Sequence, residues 1–274
     1  MQNIIDSFEH IPSWVRTLIL AGGITFFWII EGIIPLQKFN YNKWKHAGVN
    51  IFFTLTTIIV NFALAFAMAM SCTYVTTHKI GFYYWFDIPL WLNVLIGVML
   101  LDLIGAYLIH FLEHRVKLMW LFHIIHHSDT TVDTTTANRH HPGESLFRVI
   151  FTSIAIFVSG APFGVVMIYQ TLSAVLSQFN HANMFLPKWL DNLISWIIVS
   201  PNMHKVHHHY KLPYTDSNFG NIFSIWDRLF RTFKYKEISE VVYGIDTHMK
   251  PEENSKIKNL LEIPFQPYRP ATKD

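Results

Sequence analysis

Twelve of the 16 histidines lie between His110 and His209, and most of them recur at helical spacing. His110 and His114 form an H-x-x-x-H pair. His123, His126 and His127 form H-x-x-H-H, and His204, His207 and His208 repeat it. Residues i, i+3 and i+4 share a helix face, so each box is expected to aim two or three imidazoles at one spot. Eight such ligands exceed the four that one tetrahedral zinc takes. The simplest arithmetic is two metal ions in an almost all-imidazole site. Neutral imidazole suits zinc, copper, iron and nickel. Two adjacent metals with few or no carboxylates fit iron engaged in dioxygen chemistry better than hydrolytic zinc.

Several neighbours need separate treatment. On a helix His207 and His208 lie about 60° and 40° to either side of His204, whereas His209 lies about 140° away. His209 is therefore left out. His181 stands alone in Asn180-His181-Ala182-Asn183, and its position favours a ligand. Asp102, two turns before His110, and Glu113, inside the first box, are candidates to hydrogen-bond a liganding imidazole and fix its tautomer. Asn183 is a weaker candidate, acting through a water. His10, His46, His78 and His248 read as isolated surface or core histidines. His110-Phe-Leu-Glu-His114 also matches the H-x-x-E-H signature of zinc proteases, with Glu113 as general base. That reading leaves two H-x-x-H-H boxes unexplained.

The elements that must position these histidines are membrane helices. The chain has 274 residues, 51% hydrophobic and only 15% charged, with a net charge of +2. Soluble domains carry about 25% charged residues. No basic stripe marks a nucleic-acid partner, and the single cysteine, Cys72, excludes an intramolecular disulfide and a Cys₄ iron–sulfur centre. Leu18–Ile34, Val49–Met70 and Ile88–Ile109 approach or reach the roughly 20 apolar residues of a span. A fourth region, 149–179, is too long for one crossing. It is broken at Ser159-Gly160-Ala161-Pro162, which predicts a helical hairpin that returns to its starting side.

The loop Gln37–Ala47 carries Lys38, Lys43 and Lys45, whereas Ser71–Asp87 carries Lys79 alone. The positive-inside tendency puts the first loop, and with it every histidine box, at the cytoplasmic face. The expected fold is all-α: an integral membrane bundle of three spans plus a broken hairpin, capped by a histidine-rich metal-binding region. The expected organisation is an N-terminal transmembrane region 1–101, a catalytic region 102–235 and a polar tail 236–274, docked or partly ordered.

Residues 102–233 resemble the fatty acid hydroxylase/sterol desaturase superfamily. The resemblance covers about half the chain. It rests on Asp102, His110-Phe-Leu-Glu-His114, Trp120-Leu-Phe-His123-Ile-Ile-His126-His127-Ser128-Asp129 and Arg139-His-His141-Pro142-Gly-Glu144. It continues through His181, Pro201-Asn-Met-His204-Lys-Val-His207-His208, Ser217-Asn218-Phe219-Gly220 and Trp226-Asp227-Arg228-Leu229-Phe230. The resemblance implies a membrane enzyme whose histidine-ligated pair of iron ions activates O2 to hydroxylate or desaturate a lipid. Its implied ligands are His110, His114, His123, His126, His127, His181, His204, His207 and His208. His141 matches a position that is not reliably a ligand and is held as a supporting group. The family usually carries an aromatic residue where His140 stands and a glycine where Arg231 stands.

Electrons must come from a separate reductase, ferredoxin or b-type cytochrome, because no Gly-x-Gly-x-x-Gly and no cysteine cluster occurs. A docking face is sought at His140, Lys205, Lys211 and Arg228/Arg231. The competing classes are an intramembrane zinc protease and a metal transporter or sensor. The latter would place ionisable groups along a path through several spans. Substrate identity and oligomeric state are not legible in the sequence.

Overall fold

The computed structural model describes residues 1–272. Helices dominate it, and pairing of extended segments is confined, among the described residues, to isolated bridges such as Pro35 with Met184. A short helix α1 (Gln2–Glu9) precedes α2 (Ser13–Ile33), the first of three segments long and apolar enough to cross a membrane. The second begins with α3 (Lys43–His78), which extends past the apolar run at both ends. Asn42 starts it by accepting a hydrogen bond from Lys45 N at 2.9 Å. Lys79, in the left-handed conformation, ends it.

The third segment, Leu90–Arg115, is composite. It comprises α4 (Leu90–Asp102), a π-helical stretch Leu103–Leu108, and α5 (Ile109–Arg115). Such π turns are rare and re-phase the residues that follow them. Here the stretch separates Asp102 from His110. Val116, in extended conformation, then breaks the chain sharply, and α6 (Lys117–His127) folds back against α5.

The predicted break forms where expected. α7 (Glu144–Ser159) ends at Gly160, whose φ of +69° suits glycine, and Pro162 starts α8 (Phe163–His181). The hairpin tip packs on the connection between α3 and α4, because Gly160 lies against Ile80 and Gly81. Ile5 of α1 packs on Gly164 at the same end. At 1.5 Å per residue the 16- and 19-residue arms run about 24 and 28 Å. The hairpin therefore reaches the end of the bundle opposite the histidines. Val94, Val98 and Leu101 of α4, Ile156 of α7, and Val165, Val166 and Tyr169 of α8 form the main core between them.

Three buried polar clamps hold the histidine end. Glu31 of α2 accepts from Thr134 N and Asn183 N, both at 3.0 Å, and pairs with Lys43 at 3.4 Å. Asp102 accepts from Ile222 N, Phe223 N and Trp226 Nε1. The fully buried Arg139 donates to Ile125 O, Asn50 Oδ1, Ser128 Oγ and Asn254 O. The last bond ties down the tail. The tail forms two short helices there, Pro251–Ser255, which contains Asn254, and Ile257–Glu262, and Ile245, Leu260 and Ile263 pack on Phe53, Trp120, Ile124 and Ile125. The tail is thus docked over the helix that carries the second box.

Candidate metal centre

The nine histidines converge on two adjacent clusters. His110, His114, His123, His127 and His207 form the first, and His126, His181, His204 and His208 the second. Their elements are α5, α6, the end of α8 and α9 (Pro201–His207, with His208 closing it), which Ser200 caps by accepting from Met203 N. The boxes do not each serve one spot, as their shared faces led us to expect. The i,i+4 pairs stay together: His110 with His114, His123 with His127, and His204 with His208. The i+3 members cross over, His126 to the second cluster and His207 to the first. The reason is that α6 and α9 each lie between the two clusters, so neighbouring faces of one helix, about 100° apart per residue, look into different sites.

The rings are posed to ligate. In the first cluster Nδ1 of His110, His114, His123 and His207 faces Phe219 O, Asp216 Oδ1, Glu144 Oε1 and Ser217 O at 2.8, 3.3, 3.2 and 2.6 Å. A hydrogen on Nδ1 leaves Nε2 with its lone pair, and all four Nε2 atoms are buried without a hydrogen-bond partner. In the second cluster His181 Nδ1 donates to Ser177 O at 2.7 Å. Its Nε2 then stands 3.2, 3.0 and 3.1 Å from Nε2 of His126, His204 and His208, and the last two are 3.3 Å apart. Four nitrogens about 2.0–2.1 Å from a tetrahedral metal would be about 3.3 Å from one another. Burial pushes His123 down to about 3 and His204, His207 and His208 well below the ordinary histidine value. The rings are therefore neutral, the state that binds metal. Orphaned, converging, neutral imidazole nitrogens fit a pair of metal ions.

The other candidates lie elsewhere. Asp102 reaches no imidazole, because its carboxylate is taken up by the 222–226 segment. Glu113 lies 3.6 Å from His123 Nδ1 and is held by Arg148 Nη2 at 2.7 Å. Asn183 exchanges hydrogen bonds with the Gln37 backbone instead. His141 accepts from Gly143 N and packs on Phe122, outside both clusters. His209 turns away after the helix and accepts from Val242 N. Lys205, sought as part of a docking face, is buried and donates to His181 O and Ala182 O.

Sequence reasoning missed Glu144 and Asp216 as partners of His123 and His114. Glu144 had two legible signals, its place in the family-like run Arg139-His-His141-Pro142-Gly-Glu144 and its spacing of four from both His140 and Arg148. Asp216 had none, being 102 residues from His114. His140 stacks on His126 with centroids 4.4 Å apart and planes at 15°. A histidine fills here the place where the resembled family carries an aromatic ring. His46, read as isolated, bridges Asp129 and Asp133 at 2.9 and 3.2 Å.

Residues 94–232, just over half the chain, match the fatty acid hydroxylase family. The chain belongs to that family. It is 25% identical over 211 residues to the ornithine lipid hydroxylase OlsE of Rhizobium tropici, covering 75% of this chain and 62% of the relative. It is 35% identical over 149 residues to the alkylglycerol monooxygenase of Xenopus tropicalis, covering 53% and 31%. It is 30% identical over 176 residues to that of Homo sapiens, covering 61% and 36%. The chain thus spans about a third to three fifths of the length of these relatives. No solved structure matches it. As a fatty acid hydroxylase family member with three membrane-crossing segments, it is an integral membrane protein.

Proposed function

We propose that this fatty acid hydroxylase family member is a di-iron lipid monooxygenase. It would hydroxylate an alkyl chain while consuming one O2, two electrons and two protons and releasing water. The observation that carries this reading is the pair of buried clusters, in which nine imidazoles have no other partner for most of their inward nitrogens. A pair of iron ions bound there would supply the activation of dioxygen.

The chain's own residues hold and shield the site. Phe219 O, Ser217 O, Glu144 and Asp216 orient four rings. Trp120, which packs on His114 and His127, and the docked tail exclude water from one side. The spans place the clusters at one end of the bundle, where an amphiphile with its tail in the bilayer can present a C–H bond. The relatives named for ornithine lipids and alkylglycerols favour a polar-headed lipid with a long chain as substrate. Loss of a second hydrogen instead of oxygen transfer would give an alkene. The lysine asymmetry of the loops favours the cytoplasmic face, where a separate reductase, ferredoxin or b-type cytochrome can deliver electrons.

The zinc-protease reading loses its base. Glu113 is locked to Arg148 and lies beside His123 rather than open to a bound water. A transporter would string ligands through the spans, whereas these gather at one end. Lipid mass spectrometry on cells with and without the protein, under ¹⁸O₂, tests the proposal. The expected product is a lipid heavier by one ¹⁸O atom. An unchanged lipid profile in cells that hold the folded, metal-loaded protein would reject it.

A further inference from the structure

The two clusters are built differently, and the difference lies in what stands behind the imidazoles. Behind the first cluster are two carboxylates, each steadied by an arginine. Asp216 Oδ1 faces His114 Nδ1 at 3.3 Å while its Oδ2 pairs with Arg115 at 3.2 Å. Glu144 Oε1 faces His123 Nδ1 at 3.2 Å and accepts from Arg148 Nε at 2.7 Å. Backbone carbonyls brace His110 and His207 in addition.

The second cluster has no carboxylate behind its rings among the described residues. His181 is braced by Ser177 O, whereas Nδ1 of His126, His204 and His208 has no protein partner. His126 is steadied by stacking on His140, which fixes a plane but adds no electron density. A hydrogen bond from Nδ1 to a carboxylate orients the ring and raises the basicity of Nε2, and its loss lowers metal affinity about 10–100-fold. The first cluster also offers five donors against four.

We infer that the two metal positions are unequal: the His110/His114/His123/His127/His207 site holds its metal tightly, and the His126/His181/His204/His208 site exchanges it. Glu144 and Asp216 are the positioning residues that set this order. The inference rests on the two-metal reading above. The group His123, His140 and Glu144 is not counted as a third site, because His123 belongs to the first cluster and its Nδ1 shares Glu144 Oε1 with Arg148.

The experiment is equilibrium binding of ferrous iron to the full chain in detergent, under anaerobic conditions, against chelators of graded affinity. The expected isotherm has two steps of one metal each. His208→Ala should remove the weak step and leave the tight one. Glu144→Gln and Asp216→Asn should each weaken the tight step by about 10–100-fold and leave the weak step in place. Asp216 is partly exposed, so its variant tests the idea even if Glu144→Gln fails to fold. Two metals lost in one step, or either carboxylate variant weakening the loose step, would overturn the inference while sparing the two-metal reading. A total of one metal per wild-type chain would overturn both.

Discussion

Gly81 and Gly160 meet backbone to backbone at the end of the bundle remote from the histidines. Their φ angles of +98° and +69° are left-handed; a Cβ on Gly81 would collide with the Gly160 main chain, and one on Gly160 with the carbonyl oxygen of Ile80. Gly81→Ala or Gly160→Ala should therefore destabilise the protein by more than the about 1–2 kcal/mol of a left-handed L residue. The expected result is a lower thermal unfolding temperature in detergent, with Gly22→Ala, inside α2 and meeting nothing within 4 Å, as the control that does not lower it.

Arg231 offers the opposite case. It adopts a φ of +61°, at a position where the resembled family carries glycine. Relief of about 1–2 kcal/mol of left-handed strain exceeds the entropy cost of about 0.5–1 kcal/mol for a glycine. Arg231→Gly should raise the unfolding temperature slightly, and a fall of several degrees would show that the Arg231 side chain makes a compensating contact.

His126→Ala and His207→Ala should each reduce lipid turnover below detection while the protein still inserts in the membrane. Each removes an imidazole from one of the clusters, while the spans lie elsewhere. His209→Ala, which loses a contact to Val242 N, should retain most of the activity. Equal loss at His209 would contradict the placement of its ring.

Arg139 joins the end of α6, Asn50 of α3 and the tail through four hydrogen bonds. Arg139→Met leaves buried acceptors unmatched, at about 1–3 kcal/mol for each group that cannot relax. The expected signature is a tail beyond residue 250 that becomes sensitive to protease, together with a lower unfolding temperature. A protease-resistant tail would show that Leu260 and Ile263 suffice to hold it.

Tags in the Gln37–Ala47 loop and at the C-terminus should both report the cytoplasm, and a tag in Ser71–Asp87 should not. This follows from three lysines against one and from a hairpin whose two arms begin and end at the histidine end. The reverse pattern would turn the clusters away from cytoplasmic electron donors.

Local signals carried the all-helical fold, the positions of the three spans and the break at Gly160, because length, hydropathy and a Gly-Ala-Pro turn act within a few residues. The eight box histidines were legible for the same reason, since helical spacing is a local property, whereas His181 was reached by its position after the hairpin and by the family resemblance. Their division between two clusters was not. It depends on how α6 and α9 sit between α5 and α8, and the sequence holds no record of that crossing. Nor was the bracing of the rings: Phe219 O lies 109 residues from His110, and Asp216 lies 102 from His114. Asp102 shows the limit most plainly. An acid at the end of a span must find donors, but only the packed chain decided that these would be Ile222, Phe223 and Trp226 rather than a histidine.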